Sequence, residues 1–336
     1  MGKAAIAPPR GGIDFPRTLV EFGELFPDEA ACLKYVEHLR WPEGFRCRKC
    51  GFEGPAWRMR RGLILCPGCR DQVSVTAGTL FEGTRKPLRD WLLAAWEITS
   101  QKYGASALGV QRILGLRSYE TAWAWLHKLR RAMVRPDRDR LRGTVEVDES
   151  YVGGEEAGVR GRETYEKAIV AIAVELNQER IARIRLRHVP DVSAQSLGPF
   201  VQEVVEPGSL IRSDAWGGYA DLYKMGFKHD VTVLASSPDP AHVLMPSVHR
   251  VASLLKRWWL GTHQGAISRE HLQYYLDEFT FRFNRRNSAT RGLLFYRLVT
   301  QALQTGAAPT DTLFRGVGQR RALRRARRSP GRHGRR

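Results

Sequence analysis

Four cysteines place the tightest constraint on this chain. Cys47 and Cys50 form one C-x2-C pair and Cys66 and Cys69 a second, with fifteen residues between the pairs. Each pair sits in a turn-prone setting, Arg46-Cys47-Arg48-Lys49-Cys50-Gly51 and Cys66-Pro67-Gly68-Cys69-Arg70. Each can therefore cup one face of a tetrahedral ion. The opening residues lack the apolar core of a secretory signal, so a cytosolic chain is expected, where this spacing favours zinc over disulfides. A zinc ribbon is expected over residues 43–76, either touching DNA through Arg46, Arg48, Lys49 and Arg70 or serving a purely structural or protein-contact role. Cys32 stands outside the pairs and reads as a small core residue.

Charge narrows the class of partner. Lys and Arg number 54 against 35 Asp and Glu, a net charge of +19 over 336 residues with a pI near 10.2. That excess points to a polyanion, and nucleic acid fits best because binding can be driven by counterion release. A membrane surface would require an amphipathic basic helix, which does not stand out, and no window approaches the roughly 18 apolar residues of a span. Gly2 does not signal myristoylation, because Ile6 stands where that motif needs Ser or Thr. Arg315 to Arg336 carries ten positive charges and no acidic residue. It is expected to be disordered in isolation, as a solvated extension or a non-specific DNA clamp.

From Pro87 to Met133 the apolar spacing becomes helical, with Trp91, Leu92, Ala95, Trp96 and Ile98 in one stripe. Leu114-Gly115-Leu116-Arg117-Ser118 joins two helices, Gly115 ending the first and Ser118 capping the second. Two readings stay open. One is a helix-turn-helix whose second helix presents Thr121, Lys128, Arg130 and Arg131 to DNA; the other is a plain helical hairpin with Trp123 and Trp125 in the core. After the charged linker Arg135 to Arg142, strands are expected at Thr144 to Val152, Ala168 to Leu176 and Ile181 to His188. A helix at Ser193 to Val205 and a strand at Ser209 to Arg212 follow. Three strands, a helix and a strand is the order of an RNase H-like domain, although other α/β folds share it.

The expected architecture is therefore a multidomain α+β chain. A zinc ribbon region takes residues 15–80, a helix-turn-helix-like segment 81–135, an RNase H-like α/β catalytic domain 143–305, and a basic tail 306–336.

Two carboxylates carry the chemistry. Asp148 and Glu149 follow the apolar Val145-Glu146-Val147, and Asp214 follows Leu210-Ile211-Arg212-Ser213, so each is expected where a strand opens into a loop. If the first and fourth strands lie side by side, Asp148 and Asp214 meet at one edge and can share hard divalent cations that activate and stabilise phosphodiester oxygens.

These residues together resemble the bacterial insertion-sequence transposases that join a zinc ribbon to a DDE catalytic domain, the ISXO2-like group. The carrying stretches are the two cysteine pairs, Thr76-Ala77-Gly78-Thr79 with Phe81, Val147 to Gly154, Ser213 to Tyr219, Leu254 to Trp258, and Tyr275 to Arg286. The resemblance implies cutting and joining of DNA at inverted terminal repeats, run with magnesium by a protein multimer on double-stranded DNA at the nucleoid, away from membranes. In the wider superfamily a Glu follows the second Asp on a helix. Here His249 stands 35 residues after Asp214, and Lys256 follows seven residues later on the same helical face. The resemblance makes Asp148, Asp214 and His249 the ligands of magnesium or manganese, with Lys256 beside them on a DNA phosphate. Glu278 competes for the third position, and Glu149 is a candidate outer-shell base or second ligand. Trp258 and Trp259 are read as core residues or as stacking platforms for bases. An inactive DNA-binding regulator that lost catalysis through His249 is the alternative to the enzyme, and a junction resolvase would leave the end-binding segments unexplained.

Overall fold

The structure is a computed structural model that describes residues 8–59, 62–135, 137–153, 167–233, 240–265 and 267–307. The basic tail from Arg315 lies outside the described residues.

The chain opens with α1 (Leu19–Leu25) and α2 (Glu29–Arg40), whose first amides are taken by the side chains of Thr18 and Asp28. Two small antiparallel sheets follow. Strand β1 (Phe45–Arg46) pairs with β2 (Glu53–Gly54), and β3 (Trp57–Arg58), β4 (Leu63–Leu65) and β5 (Gln72–Ser74) form the second. The Arg40 guanidinium donates to the carbonyls of Ser74 and Ala77 at 3.1 and 2.6 Å, which ties α2 to the end of the ribbon. Then come α3 (Leu88–Ser100), α4 (Ala107–Ile113) and α5 (Tyr119–Ala132). Gly115 adopts φ +59° in the α4–α5 turn and the Ser118 hydroxyl accepts from the Glu120 amide at 3.1 Å, as the sequence implied.

Helix α5 is a core helix. Eight of its fourteen residues are buried, among them Trp125, His127, Leu129 and Arg130. So much burial favours the plain hairpin reading of the α4–α5 pair, with Lys128 and Arg131 left half-buried.

The second body is a five-stranded sheet. Strands β6 (Thr144–Val152), β7 (Ala168–Asn177) and β8 (Arg180–Val189) form an antiparallel meander. The crossover helix α6 (Ala194–Val204) leads to β9 (Leu210–Asp214), and β10 (Lys228–Thr232) follows. The order is β10-β9-β6-β7-β8, with β9 parallel to β6 and β10 parallel to β9. This is the RNase H-like arrangement, with the first and fourth strands adjacent. Period-two alternation sorts β6 between two faces. Val145 and Val147 pack with α6 residues Phe200 and Val201, while the opposite face of the sheet packs against later helices. Those are the short α7 (Ala241–Leu244), the long α8 (Pro246–His263) and α9 (Leu272–Phe283).

Helix α9 also closes an exposed sheet edge. The Asn284 amide accepts from the Ile184 N–H at 2.8 Å and donates to the Ile184 carbonyl at 3.1 Å. Gln273 accepts from the His188 N–H at 3.0 Å. Side chains thus occupy the main-chain groups that a further strand would use.

The final helix, α10 (Gly292–Gln304), lies in the first core. Its Phe295, Leu298 and Val299 are buried with Phe22, Trp91 and Leu126, and the Leu80 amide donates to the Ala302 carbonyl at 3.0 Å. The stretch 143–305, expected as one unit, therefore sends its last helix back into the N-terminal body. No helix among the described residues is long and apolar enough to cross a membrane.

Candidate functional site

The four cysteines converge. Their sulfurs all lie within 4.8 Å of one another, with Cys47–Cys69 at 3.7 Å and Cys50–Cys66 at 3.6 Å. A tetrahedral zinc with Zn–S bonds of about 2.3 Å requires sulfurs about 3.8 Å apart, so the quartet fits the ion. The two knuckles share one backbone plan: the Gly51 amide returns to the Cys47 carbonyl and the Arg70 amide to the Cys66 carbonyl. Gly51 and Arg70 both take left-handed backbone, φ +74° and +59°. Backbone N–H groups, that of Cys50 foremost, draw the Cys47 thiol down to about 7 and favour the thiolate that a metal needs. Cys32 is fully buried, and burial pushes its thiol up to about 12, as befits a core residue.

The ribbon's basic residues differ in their surroundings. Arg46 pairs with Glu53 at 3.0 Å and Lys49 with Asp71 at 3.3 Å, both on the open surface. Arg48 lies against the backbone at Gly78, and Arg70 covers the Trp57 ring at 4.6 Å. On α5, Lys128 and Arg131 are half-buried. Arg130 must be withdrawn from the DNA-facing set. Its guanidinium is 1% exposed, donates from Nε to Glu278 at 2.8 Å and lies 4.0 Å over the Tyr275 ring.

The same pair removes Glu278 from the candidate metal site. Helix α9 runs along β8, at the far side of the sheet from β9, and the fully buried Glu278 carboxylate is spent on Arg130. The i+4 pairing with Arg282 that the sequence offered is replaced as well. Arg282 donates to the carbonyls of Ile98, Gln101 and Lys102 at the end of α3.

The carboxylates at the sheet are organised by register. Strands β6 and β9 pair at Thr144–Leu210, Val145–Ile211 and Glu146–Arg212, then separate. The same offset continued sets Asp148 level with Asp214. Asp148 is thus not at a strand end, since β6 stays paired with β7 to Val152. It stands instead beside the gap that opens on the β9 side. Asp214 ends β9 and accepts from the Trp216 N–H at 3.2 Å.

Helix α8 brings His249 over this gap, with Nε2 3.9 Å from Asp148 Oδ2. That separation exceeds a hydrogen bond and allows two ligands of one ion. The Asp148, Asp214 and His249 donor atoms are not gathered as closely as the sulfurs; among the described residues only the cysteine quartet meets the 4.8 Å spacing. Two oxygens and an imidazole are donors that magnesium and, better, manganese accept.

Two residues that the sequence reading passed over hold this geometry. Glu146, buried on the same face of β6 as Asp148, accepts from the Ser247 and Val248 amides at 3.0 and 2.9 Å and so caps α8. Burial raises its pKa while those two amides lower it. Tyr219, fully buried, donates to Glu149 at 3.0 Å. Glu149 therefore faces away from Asp148 and serves as an acceptor for Tyr219. Burial, with Glu149, Asp148 and Asp214 nearby, drives the Tyr219 phenol far up, so it remains protonated. A carboxylate inside an apolar strand, two residues from Asp148, was the available signal for Glu146.

Lys256, two turns along α8, lines a cleft of about 460 Å³ with Lys167, Tyr151 and Trp259 at the end of β6. Trp258 and Trp259 are buried, and the Trp258 indole donates to the Tyr103 carbonyl at 2.7 Å, so both serve the core.

Residues 140–284 match the family described as the ISXO2-like transposase domain, and residues 27–72 match the transposase zinc-ribbon domain. An uncharacterised protein in transposable element ISH50 of Halobacterium salinarum is 30% identical over 142 residues, 41% of this chain and 46% of that protein. The chain thus spans about half the length of that relative. Two solved structures share limited likeness. A simian T-cell lymphotropic virus intasome in complex with PP2A regulatory subunit B56 gamma is 14% identical at a TM-score of 0.27, over 49% of this chain and 63% of that one. The Mos1 strand transfer complex is 15% identical at 0.24, over 63% and 74%.

Proposed function

From a chain that carries a transposase zinc-ribbon domain and an ISXO2-like transposase domain, we propose a DDE-type transposase. It binds the inverted ends of an insertion sequence and catalyses metal-dependent DNA strand cleavage and strand transfer. The observation that carries this reading is the level placement of Asp148 and Asp214 at the gap between β6 and β9, with His249 brought to 3.9 Å from Asp148. An inactive regulator has no need of that convergence.

In this reading Asp148, Asp214 and His249 hold magnesium or manganese, which when bound supplies Lewis-acid chemistry to phosphodiester oxygens. Asp148 and Asp214 contribute the negative charge that draws the cation, and Glu146 fixes the helix that presents His249. Lys256 neutralises a DNA phosphate beside the scissile one. In the first step water forms a bond to phosphorus and the 3′ oxygen leaves, taking a proton as the element's free 3′ hydroxyl. In the second that hydroxyl, giving up its proton, attacks a target phosphodiester and expels a target 3′ oxygen, which takes up a proton. Zinc on Cys47, Cys50, Cys66 and Cys69 is structural. The ribbon that the four cysteines organise presents Arg46, Arg48 and Lys49 toward DNA, and Lys128 and Arg131 add contacts from α5. Two copies or more assemble on the DNA ends in the cytoplasm.

The test is strand transfer by the purified full chain on the DNA ends that flank its own gene. Joined products with magnesium or manganese, lost in Asp214→Asn, support the reading. Specific end binding with no cleavage under either ion supports the regulator instead.

A further inference from the structure

The linker after α5 crosses the sheet edge beside an arginine-lined cleft of about 440 Å³. Its walls come from four places: Arg135 and Arg138 of the linker, Arg185 of β8, Arg285 of the turn after α9, and Arg297 of α10. Arg183 adds a sixth guanidinium, already paired with Glu175 at 2.7 Å.

Packing does not require so much like charge in one place. Among the described residues, Arg135, Arg138, Arg185, Arg285 and Arg297 make no ion pair with a carboxylate. Arg185 donates only to the carbonyls of Ile184 and Asp139, and Arg285 to that of Phe281. The two acids on the wall offset little. Asp139 lies 3.8 Å from Arg183, and burial raises the Asp277 carboxyl to about 6. The guanidiniums repel one another: burial first, then Arg138 and Arg183, lower Arg185 to about 10, and burial, then Arg297 and Arg135, lower Arg285 to about 10.

Two polar atoms at the wall are unsatisfied. Thr280 is 6% exposed and its Oγ1 has no hydrogen-bond partner, nor does the buried Nε of Arg285. A buried donor left without an acceptor is costly, and an anion in the cleft would satisfy both. Several guanidinium forks around one volume, with a hydroxyl beside them, match the oxygens of a phosphate group.

We propose that this cleft binds a backbone phosphate of DNA at a second point, separate from the metal site, and so fixes the duplex across the joint between the two bodies. The proposal rests on the DNA-acting reading above. Strand β8 stands two strands from β6, roughly 10 Å across the sheet. Duplex DNA carries a charge about every 1.7 Å along its axis, so one duplex can supply phosphates to both places.

The test uses the full chain with the half-buried Arg138→Gln and the exposed Arg297→Gln together, against a control of equal charge, Arg180→Gln and Lys228→Gln. Affinity for an element-end duplex is measured from 50 to 300 mM salt, and thermal stabilisation by inorganic pyrophosphate is measured without DNA. The cleft pair should lower the slope of log affinity against log salt by about 1.8, weaken binding at least about tenfold and abolish pyrophosphate stabilisation. The control should leave that stabilisation intact and change the slope less. A cleft pair that behaves like the control overturns the proposal. Lost pyrophosphate stabilisation with an unchanged DNA slope assigns the cleft to a free phosphate ligand and also overturns it. Should the wild type fail to cut DNA while the cleft pair still loses DNA affinity, the strand-transfer reading falls and the cleft assignment stands.

Discussion

The Glu146 carboxylate accepts the backbone N–H of Val248 at 2.9 Å, so the strand that carries Asp148 also holds the first turn of the helix that carries His249. One acidic side chain thereby sets the distance between two residues of the proposed metal site. Removing it should loosen His249 more than it unfolds the chain. Glu146→Ala is expected to weaken manganese binding about tenfold or more and to cost about 1 kcal/mol of stability as a lost cap. Glu146→Gln, which keeps an acceptor, should recover most of the affinity. Calorimetric titration of both variants checks this; equal losses in the two would argue against capping.

The Arg130–Glu278 pair joins the helical body to α9 at the far side of the sheet. Breaking a fully buried pair strands a charge, so Glu278→Gln should destabilise the chain by about 3–5 kcal/mol. Replacing both partners, as Arg130→Met with Glu278→Leu, should recover much of that. Urea denaturation measures it, and a loss below about 1 kcal/mol in the single variant would contradict the buried pairing.

Acid should weaken the same joint. Burial holds His127 at about 2 and His263 at about 3, both below the usual 6.5 of histidine. Because the folded values are depressed, this stabilisation is complete above pH 6.5 and is lost as the pH falls toward the folded values. Between pH 6.5 and 5 each histidine should cost roughly 2 kcal/mol. Denaturation at the two pH values should show a smaller loss in His127→Phe than in wild type. An equal loss would place the sensitivity elsewhere.

Zinc should be stoichiometric. The full chain is expected to carry one zinc, released by chelator, and Cys66→Ser should carry none and lose the ribbon's protection from protease. Full zinc content in that variant would refute the quartet as the site.

Much of this was legible in sequence because periodicity and chemistry agreed. The cysteine spacing named the ribbon, a β-branched run and an alternating run named β7 and β8, and two acids after apolar stretches pointed to the edge that β6 and β9 share, though Asp148 lies inside its strand rather than at its end. Other features needed contacts between residues far apart in the chain. Lys128, Arg130 and Arg131 look alike on a helix read alone, and only the packing of α9 against α5 shows that Arg130 is sequestered. Helix α10 carries an ordinary amphipathic pattern, which fixes its apolar face but not the core that face enters. Glu146 resembled any acid in a strand until α8 supplied the two amides it accepts.

The central claim is that Asp148, Asp214 and His249 hold the divalent ion, and manganese binding to the full chain, followed by electron paramagnetic resonance, tests it most directly. Wild type should bind manganese at a site outside the zinc ribbon, and Asp214→Asn and His249→Ala should each weaken it at least about tenfold. Unchanged manganese binding in both variants would contradict the account.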